Sequence, residues 1–254
     1  MSMEKETKRR TIVIIQIVLA VLVIVGAGWL ASKAFGYNQA QKTYRDMQVA
    51  YADELGSSDP NSTNASCPVD FTSLQGEYPD VVAWLKMDDV DLSYPVVQGS
   101  DNDHYLDYDA TGAASIDGAI FLDYRNKSIA DDKHVLIYGH NMLDESMFGP
   151  LDNYTAESFY REGKDTFTIY TPRAAYRYQI FAVAVVDPSD DTYTTGFHNE
   201  VVFDSFVKGL KEKSMYGTDV DVTGADYVVT LSTCSANDRL VLNAKRISVQ
   251  PYTA

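Results

Sequence analysis

Cysteine is almost absent: Cys67 and Cys234 are the only two among 254 residues. That excludes a disulfide-dense scaffold and any cysteine-rich zinc module. Positive charge is also scarce. Lys plus Arg number 21 against 36 Asp plus Glu, a net charge of −15, and the pI is near 4.5. A nucleic-acid binder needs a basic face to neutralise phosphates, and none is available here. Glycine and proline, at 15 and 8, are too few for a collagen-like or low-complexity chain. Internal repeats are missing. Long apolar runs are missing too, with one exception at the start.

That exception is TIVIIQIVLAVLVIVGAGWLAS, residues 11–32, which carries no charge. A helix of roughly 20 apolar residues spans the hydrocarbon core of a bilayer. Gln16 is its only strongly polar side chain, and Trp29 lies near the outer end, where amphipathic rings prefer the interface. Lys5, Lys8, Arg9 and Arg10 precede it, which holds a short N-terminal tail in the cytoplasm. The expectation is a cytoplasmic tail at 1–10, a single-pass membrane anchor at 11–32 and an extracellular remainder. The alternative is a cleaved signal peptide, but its apolar region is shorter, and only Gly26-Ala27-Gly28 resembles a cleavage site. Without the tail, which holds four basic and two acidic residues, the net charge is −17.

Ala40, Tyr44, Met47, Tyr51 and Leu55 follow at steps of three and four, a helical stripe that predicts a juxtamembrane helix packed on the domain. Residues 56–70, GSSDPNSTNASCPVD, have linker composition. The helix and linker together occupy 33–69, and one domain covers 70–254. Short β-type runs bounded by Gly, Pro, Asp or Asn recur at Val81–Met87, Ala119–Tyr124, His134–Tyr138, Thr166–Tyr170, Tyr176–Val186, Tyr227–Thr233 and Leu240–Val249. Many short strands suggest a barrel or sandwich. One helix interrupts them, with Val202, Phe203, Phe206, Val207 and Leu210 on its apolar face. The fold class is therefore mostly β with helices, α+β.

Cys234 ends a β-run in YVVTLSTCSANDRLVLNAKR; four turn-type residues follow, and a new run starts at Arg239. This reads as a hairpin with Cys234 and Arg239 near its mouth. A thiol of ordinary pKa, near 8.5, needs a neighbouring cation or base to attack as thiolate. Of the four histidines, His140 is the best placed, because HVLIYGHN is an apolar strand that ends by presenting it after Gly139. His104 and His198 read as surface or loop residues, and His134 as structural. Cys, His and Arg are the parts of acyl transfer: thiolate, proton carrier and oxyanion partner. A lone cysteine at a strand end is more often structural, and a Cys67–Cys234 disulfide is the other alternative.

At these residues the chain resembles the sortases, specifically class B. Thr230-Leu231-Ser232-Thr233-Cys234 is similar to the family's T-L-x-T-C signature. Tyr138-Gly139-His140-Asn141-Met142, followed by Met147-Phe148-Gly149, is similar to its histidine segment. Tyr94-Pro95-Val96-Val97-Gln98 with Asp101-Asn102-Asp103 and Tyr105-Leu106 resembles the class B stretch before it, and Lys211–Tyr216 the segment after a long helix. The resemblance implies an eight-stranded closed β-barrel behind an N-terminal transmembrane helix. It implies a transpeptidase on the outside of a Gram-positive-type cell, with Cys234 as nucleophile, His140 as general acid/base and Arg239 at the oxyanion. Arg239 follows Cys234 by five residues, a shorter loop than class B usually has, and Arg246 is the other candidate. Asn102, Leu106 and Ser232 are the implied substrate contacts, with Thr192 and Tyr193 as further lining. The implied substrates are surface proteins with a C-terminal sorting signal of the N-P-[QK]-T-[NGS] kind, and the implied acceptor is an amine of lipid-linked peptidoglycan precursor. No cofactor, metal or nucleic acid is expected. Competing readings are a pilin-polymerising enzyme that uses a pilin lysine, a hydrolase in which water replaces the amine, and a non-catalytic peptide-binding barrel.

Overall fold

A computed structural model describes the backbone of residues 2–52, 55, 66–234 and 237–253, and the side chains of 14–29, 36, 39–52, 55, 66–233 and 237–253. Two compact units result, Met1–Lys42 and Thr43–Ala254. Helix α1 (Ser2–Tyr51) runs through the first and into the second. The predicted anchor lies within α1, although the side chains of 11–13 and 30–32 are outside the described residues. Among the described residues no helix is long and apolar enough to cross a membrane. Of the predicted stripe, Ala40, Tyr44, Met47 and Leu55 are buried and Tyr51 is partly buried; Tyr44, Met47 and Leu55 join the core of the second unit, but α1 ends at Tyr51, so Leu55 lies beyond the helix.

Eight strands close that unit into a barrel in the order β1-β2-β3-β4-β7-β8-β6-β5. They are β1 (Val81–Met87), β2 (Leu92–Val97), β3 (Ile120–Leu122), β4 (His134–His140), β5 (Thr166–Tyr170), β6 (Ala174–Val186), β7 (Val228–Cys234) and β8 (Arg239–Pro251). Neighbours are antiparallel except β2 with β3 and β4 with β7, which are parallel. Every strand sends a fully buried apolar side chain to one core: Trp84, Val96, Ile120, Ile137, Ile169, Tyr178, Leu231 and Leu242. Closure removes the exposed edges that would otherwise invite aggregation. The long β6–β8 pair carries register shifts at Arg177/Tyr178 and Ile180/Ala182. Such bulges add the twist that bends a sheet into a barrel.

Sequence reading found seven of these strands and missed β2, whose Pro95 removes a ladder donor. The proline is accommodated because β3 pairs only with Val96 and Val97, so on that side the ladder begins after Pro95. Short helices fill the connections: α2 (Phe71–Glu77), α3 (His104–Asp107) and α4 (Glu157–Arg161). The predicted long helix is α5 (Glu200–Glu212), capped by Asn199, whose side chain accepts from the Val201 and Val202 amides. Phe203, Val207 and Leu210 pack on Phe181, Ala182 and Val228 outside the barrel. Val202 flanks that stripe and is 56% exposed, so it is not part of the packed face.

His134 is structural, as expected. Its Nδ1 donates to the Thr194 carbonyl at 2.7 Å, and its Nε2 lies 2.8 Å from the Thr230 hydroxyl. Burial pushes its pKa down to about 4. An unfolded histidine titrates near 6.5. Between those values the unfolded chain binds a proton that the folded chain refuses, so stability falls as pH drops through the window, by roughly 3 kcal/mol. Asp117 works in the opposite sense: burial, then the Asp144 charge, raises its carboxyl to about 6. It therefore adds stability as pH falls below that value. Urea unfolding at pH 7 and pH 4.5 should show a smaller acid loss in His134→Gln than in the parent. Equal losses would refute the assignment.

Candidate active site

The parallel register of β4 and β7 runs from His134↔Val228 to His140↔Cys234, so the backbones of His140 and Cys234 are direct partners at the strand ends. Antiparallel β8 returns beside β7, from Ser232↔Val241 to Val228↔Lys245. Thr233 extends this pairing: its Oγ1 accepts from the Leu240 amide at 3.3 Å and lies 3.4 Å from the Leu240 carbonyl. Arg239 begins β8, the strand beside β7, one residue before Leu240. The three residues thus close adjacent strands at one end of the barrel. The side chain of Cys234 and the whole of Ser235 and Ala236 lie outside the described residues. Cys67 is a free thiol, which removes the Cys67–Cys234 disulfide alternative.

His140 is half-buried, and its Nε2 donates to the Leu106 carbonyl at 2.8 Å. A carbonyl only accepts, so Nε2 carries a proton in the neutral ring as well as in the charged one. The neutral imidazole then has its lone pair at Nδ1. Two glycines allow this placement. A Cβ at Gly139 would stand 2.9 Å from the Phe148 ring. Gly118 has φ +57°, and a Cβ there would stand 2.6 Å from the Tyr105 carbonyl, 2.8 Å from that of Leu106 and 3.0 Å from His140 Cδ2.

Three of the five expected substrate contacts meet in one network. Asn102 Nδ2 donates to Asp123 at 3.0 Å, and Asn102 Oδ1 accepts from the Tyr124 amide. Tyr138 also donates to Asp123, at 2.8 Å, and its ring stacks on Tyr193 at 6.2 Å. The Tyr193 and Ser232 hydroxyls lie 3.0 Å apart. The other two sit differently. Leu106 packs its side chain against the core and contributes its carbonyl to His140. Thr192 is fully buried, with its hydroxyl donated to Asp190. Arg246 belongs to a separate cluster, donating to the Ala130 carbonyl at 2.8 Å and stacking over Tyr227 at 3.8 Å. It lies seven residues beyond Arg239 on an extended strand, which is about 23 Å at 3.3 Å per residue.

Sequence reading overlooked the centre of the network. Asp123 is fully buried and accepts from Asn102, Tyr138, the Arg125 amide and both Nε and Nη2 of Arg125. Burial alone would raise its carboxyl; the Arg125 bonds outweigh that and hold it below the usual carboxylate range. Arg125 also donates to the Tyr193 carbonyl at 3.2 Å, which fixes the segment that carries the Tyr193 ring. The available signal was an aspartate closing an apolar strand with an arginine two residues on.

The sortase domain model matches residues 85–250. Sortase B of Listeria monocytogenes is 32% identical over 240 residues, covering 89% of this chain and 95% of its own. The chain belongs to the sortase family. The solved structure of sortase B from Bacillus anthracis in complex with AAEK1 has a TM-score of 0.73 at 32% identity, covering 84% of this chain and 99% of that one. A Staphylococcus aureus sortase B–substrate complex has a TM-score of 0.75 at 30% identity, with the same two coverages. This sortase is thus a cysteine transpeptidase of the class B type, and its eight-stranded barrel is the one expected from the resemblance.

Proposed function

We propose that the enzyme cleaves a C-terminal sorting signal of the N-P-[QK]-T-[NGS] kind after its threonine and joins the protein to an amine of peptidoglycan precursor. Cys234 is the nucleophile. Its sulfur bonds to the threonine carbonyl carbon, and the carbonyl π electrons move to oxygen. Collapse of that adduct breaks the C–N bond. His140, protonated, gives its Nδ1 proton to the leaving nitrogen, and a thioester remains. The incoming amine then attacks the thioester, His140 Nδ1 takes the amine proton, and the thiolate departs. Arg239 faces the oxyanion, where a guanidinium is a strong donor. The pairing of His140 with Cys234 at the strand ends is the observation that carries this reading. The position of Arg239 beside them favours it over Arg246.

Asn102, Tyr193 and Ser232 are the proposed lining of the signal groove, which their shared network with Asp123 and Tyr138 supports. Residues 11–32, within helix α1, are the proposed single-pass anchor, with the tail at 1–10 in the cytoplasm and the barrel on the cell surface. Ile14, Leu19, Leu22, Val23 and Ile24 are 56–70% exposed around the helix, apolar surface of the kind lipid covers.

Intact-mass spectrometry of the full chain in detergent micelles, with a panel of pentapeptide signals, tests the reading. The expected result is an acyl adduct on Cys234 that converts to an amide product when triglycine is added. Arg239→Lys should form adduct far more slowly, and Arg246→Ala at nearly the parent rate. The reverse order would move the oxyanion role to Arg246. Cleaved peptide that never joins the amine would mark a hydrolase.

A further inference from the structure

We infer that Tyr44, on the helix that precedes the barrel, is a positioning residue for His140, holding both chain segments that flank the imidazole. This rests on the proposed role of His140 as acid and base. Tyr44 is 5% exposed. Its hydroxyl donates to the Gly118 carbonyl at 2.7 Å and accepts from the Ala110 amide at 3.2 Å. Those two groups are 66 and 74 residues away in sequence, and both belong to the connection between α3 and β3.

That connection folds back on itself. Tyr108 bridges to Ala114, the Asp107 carbonyl accepts from Ser115, and the Tyr105 carbonyl accepts from Ala119. It packs Gly118 behind the last turn of α3, where the Leu106 carbonyl meets His140 Nε2. Gly118 is the tightest point, backing the Leu106 carbonyl and the imidazole edge together. A hydrogen bond that fixes Gly118 therefore fixes the acceptor that sets the His140 tautomer.

The same tyrosine reaches the other flank through Tyr94. The two rings meet edge to face at 5.1 Å. The Tyr94 hydroxyl accepts from the Met147 amide at 3.2 Å. Met147 bridges to Asn141, and the next residue, Phe148, donates its amide to the His140 carbonyl at 2.9 Å. Met147 has φ +52°, a conformation rare for a side-chain-bearing residue, so this segment is held by its contacts rather than by local preference. One helical side chain thus supports the imidazole on its acceptor side and the backbone of His140 on the other.

Tyr44→Phe keeps the ring and removes only the hydroxyl. In the full chain in detergent micelles, kcat for peptide-to-triglycine transfer should fall about tenfold with KM for peptide unchanged. Histidine-selective 15N NMR should show His140 moving from pure Nε2–H toward a mixture with Nδ1–H. The control is Met47→Ala, a buried neighbour on the same helix with no bond to the connection. It should lower the melting temperature while leaving kcat and the tautomer as in the parent. Parent-like kcat and tautomer in Tyr44→Phe would overturn the inference. So would an equal kcat loss in Met47→Ala, which would assign the effect to helix docking in general. Parent-like turnover in His140→Ala would instead sink the acid–base reading, and the tautomer spectrum would still decide whether Tyr44 orients the ring.

Discussion

Cys234→Ala should form no acyl adduct with any sorting-signal peptide, and His140→Ala should lower transpeptidation by about 10²–10⁴-fold. The two losses have different characters. If Cys234 is the nucleophile proposed above, removing its sulfur removes the only bond to the substrate carbonyl and neither half-reaction starts. On the proposed roles, loss of the imidazole leaves the departing nitrogen with no proton donor. The double variant should be no worse than Cys234→Ala alone, because the residues act as a unit. His140 engages Leu106 through Nε2, so on the proposed mechanism Nδ1 carries the transferred proton. Alkylation of Cys234 should slow in His140→Ala. Single-turnover mass spectrometry reads all of this. An adduct on Cys234 at the parent rate in His140→Ala would transfer the proton role to another group.

Asp123→Ala should destabilise the second unit by about 3–5 kcal/mol, because it leaves a partly buried guanidinium facing a vacated site. The Arg125 side chain is 38% exposed, so the lower end of that range is expected. For a chain of this size 1 kcal/mol shifts the melting temperature by about 2–4 °C, so a drop near 10 °C is the readout. The charge state matters in a defined direction. Asp123 has a folded pKa below its unfolded value, so its contribution is present above the unfolded carboxylate range near 3.9 and is lost as pH falls through the folded pKa. Asp123→Ala should therefore melt closer to the parent in strong acid than at neutral pH. The double variant Asp123→Ala/Arg125→Met should recover part of the loss by removing the unpaired charge. A single variant that melts within about 2 °C of the parent at neutral pH would show that Arg125 finds another partner at no cost. Activity should fall as well, since Arg125 and Tyr138 both position Tyr193.

The helix stripe, α5 and seven strands were legible in the sequence because each is a local pattern. Apolar residues at steps of three and four share one face of a helix, and short β-branched runs bounded by turn residues have strand length and composition. β2 escaped because Pro95 argues against a central strand, and only the staggered start of β3 removes that objection. The expected substrate residues divided on similar grounds. Asn102, Tyr193 and Ser232 share a network, whereas the hydroxyl of Thr192 is already spent on Asp190. A hydroxyl's partner two residues away is a matter of turn geometry that composition does not reveal.

By itself the sequence determined the apolar run that suits a bilayer, the acidic remainder and the chemical types at the site: a cysteine and a histidine closing apolar runs and an arginine five residues after the cysteine. Covalent order suffices for these, since each depends on residues within a few positions of one another. Only the tertiary structure decided that β4 and β7 pair in parallel, so that residues 140 and 234 become neighbours. It alone decided that the His140 lone pair lies at Nδ1, because the Leu106 carbonyl that claims Nε2 lies 34 residues away. The buried charge at Asp123 and the reach of Tyr44 to Gly118 are of the same kind. Such contacts exist only once the barrel closes, because closure brings distant chain segments to hydrogen-bonding distance and excludes the water that would otherwise satisfy them.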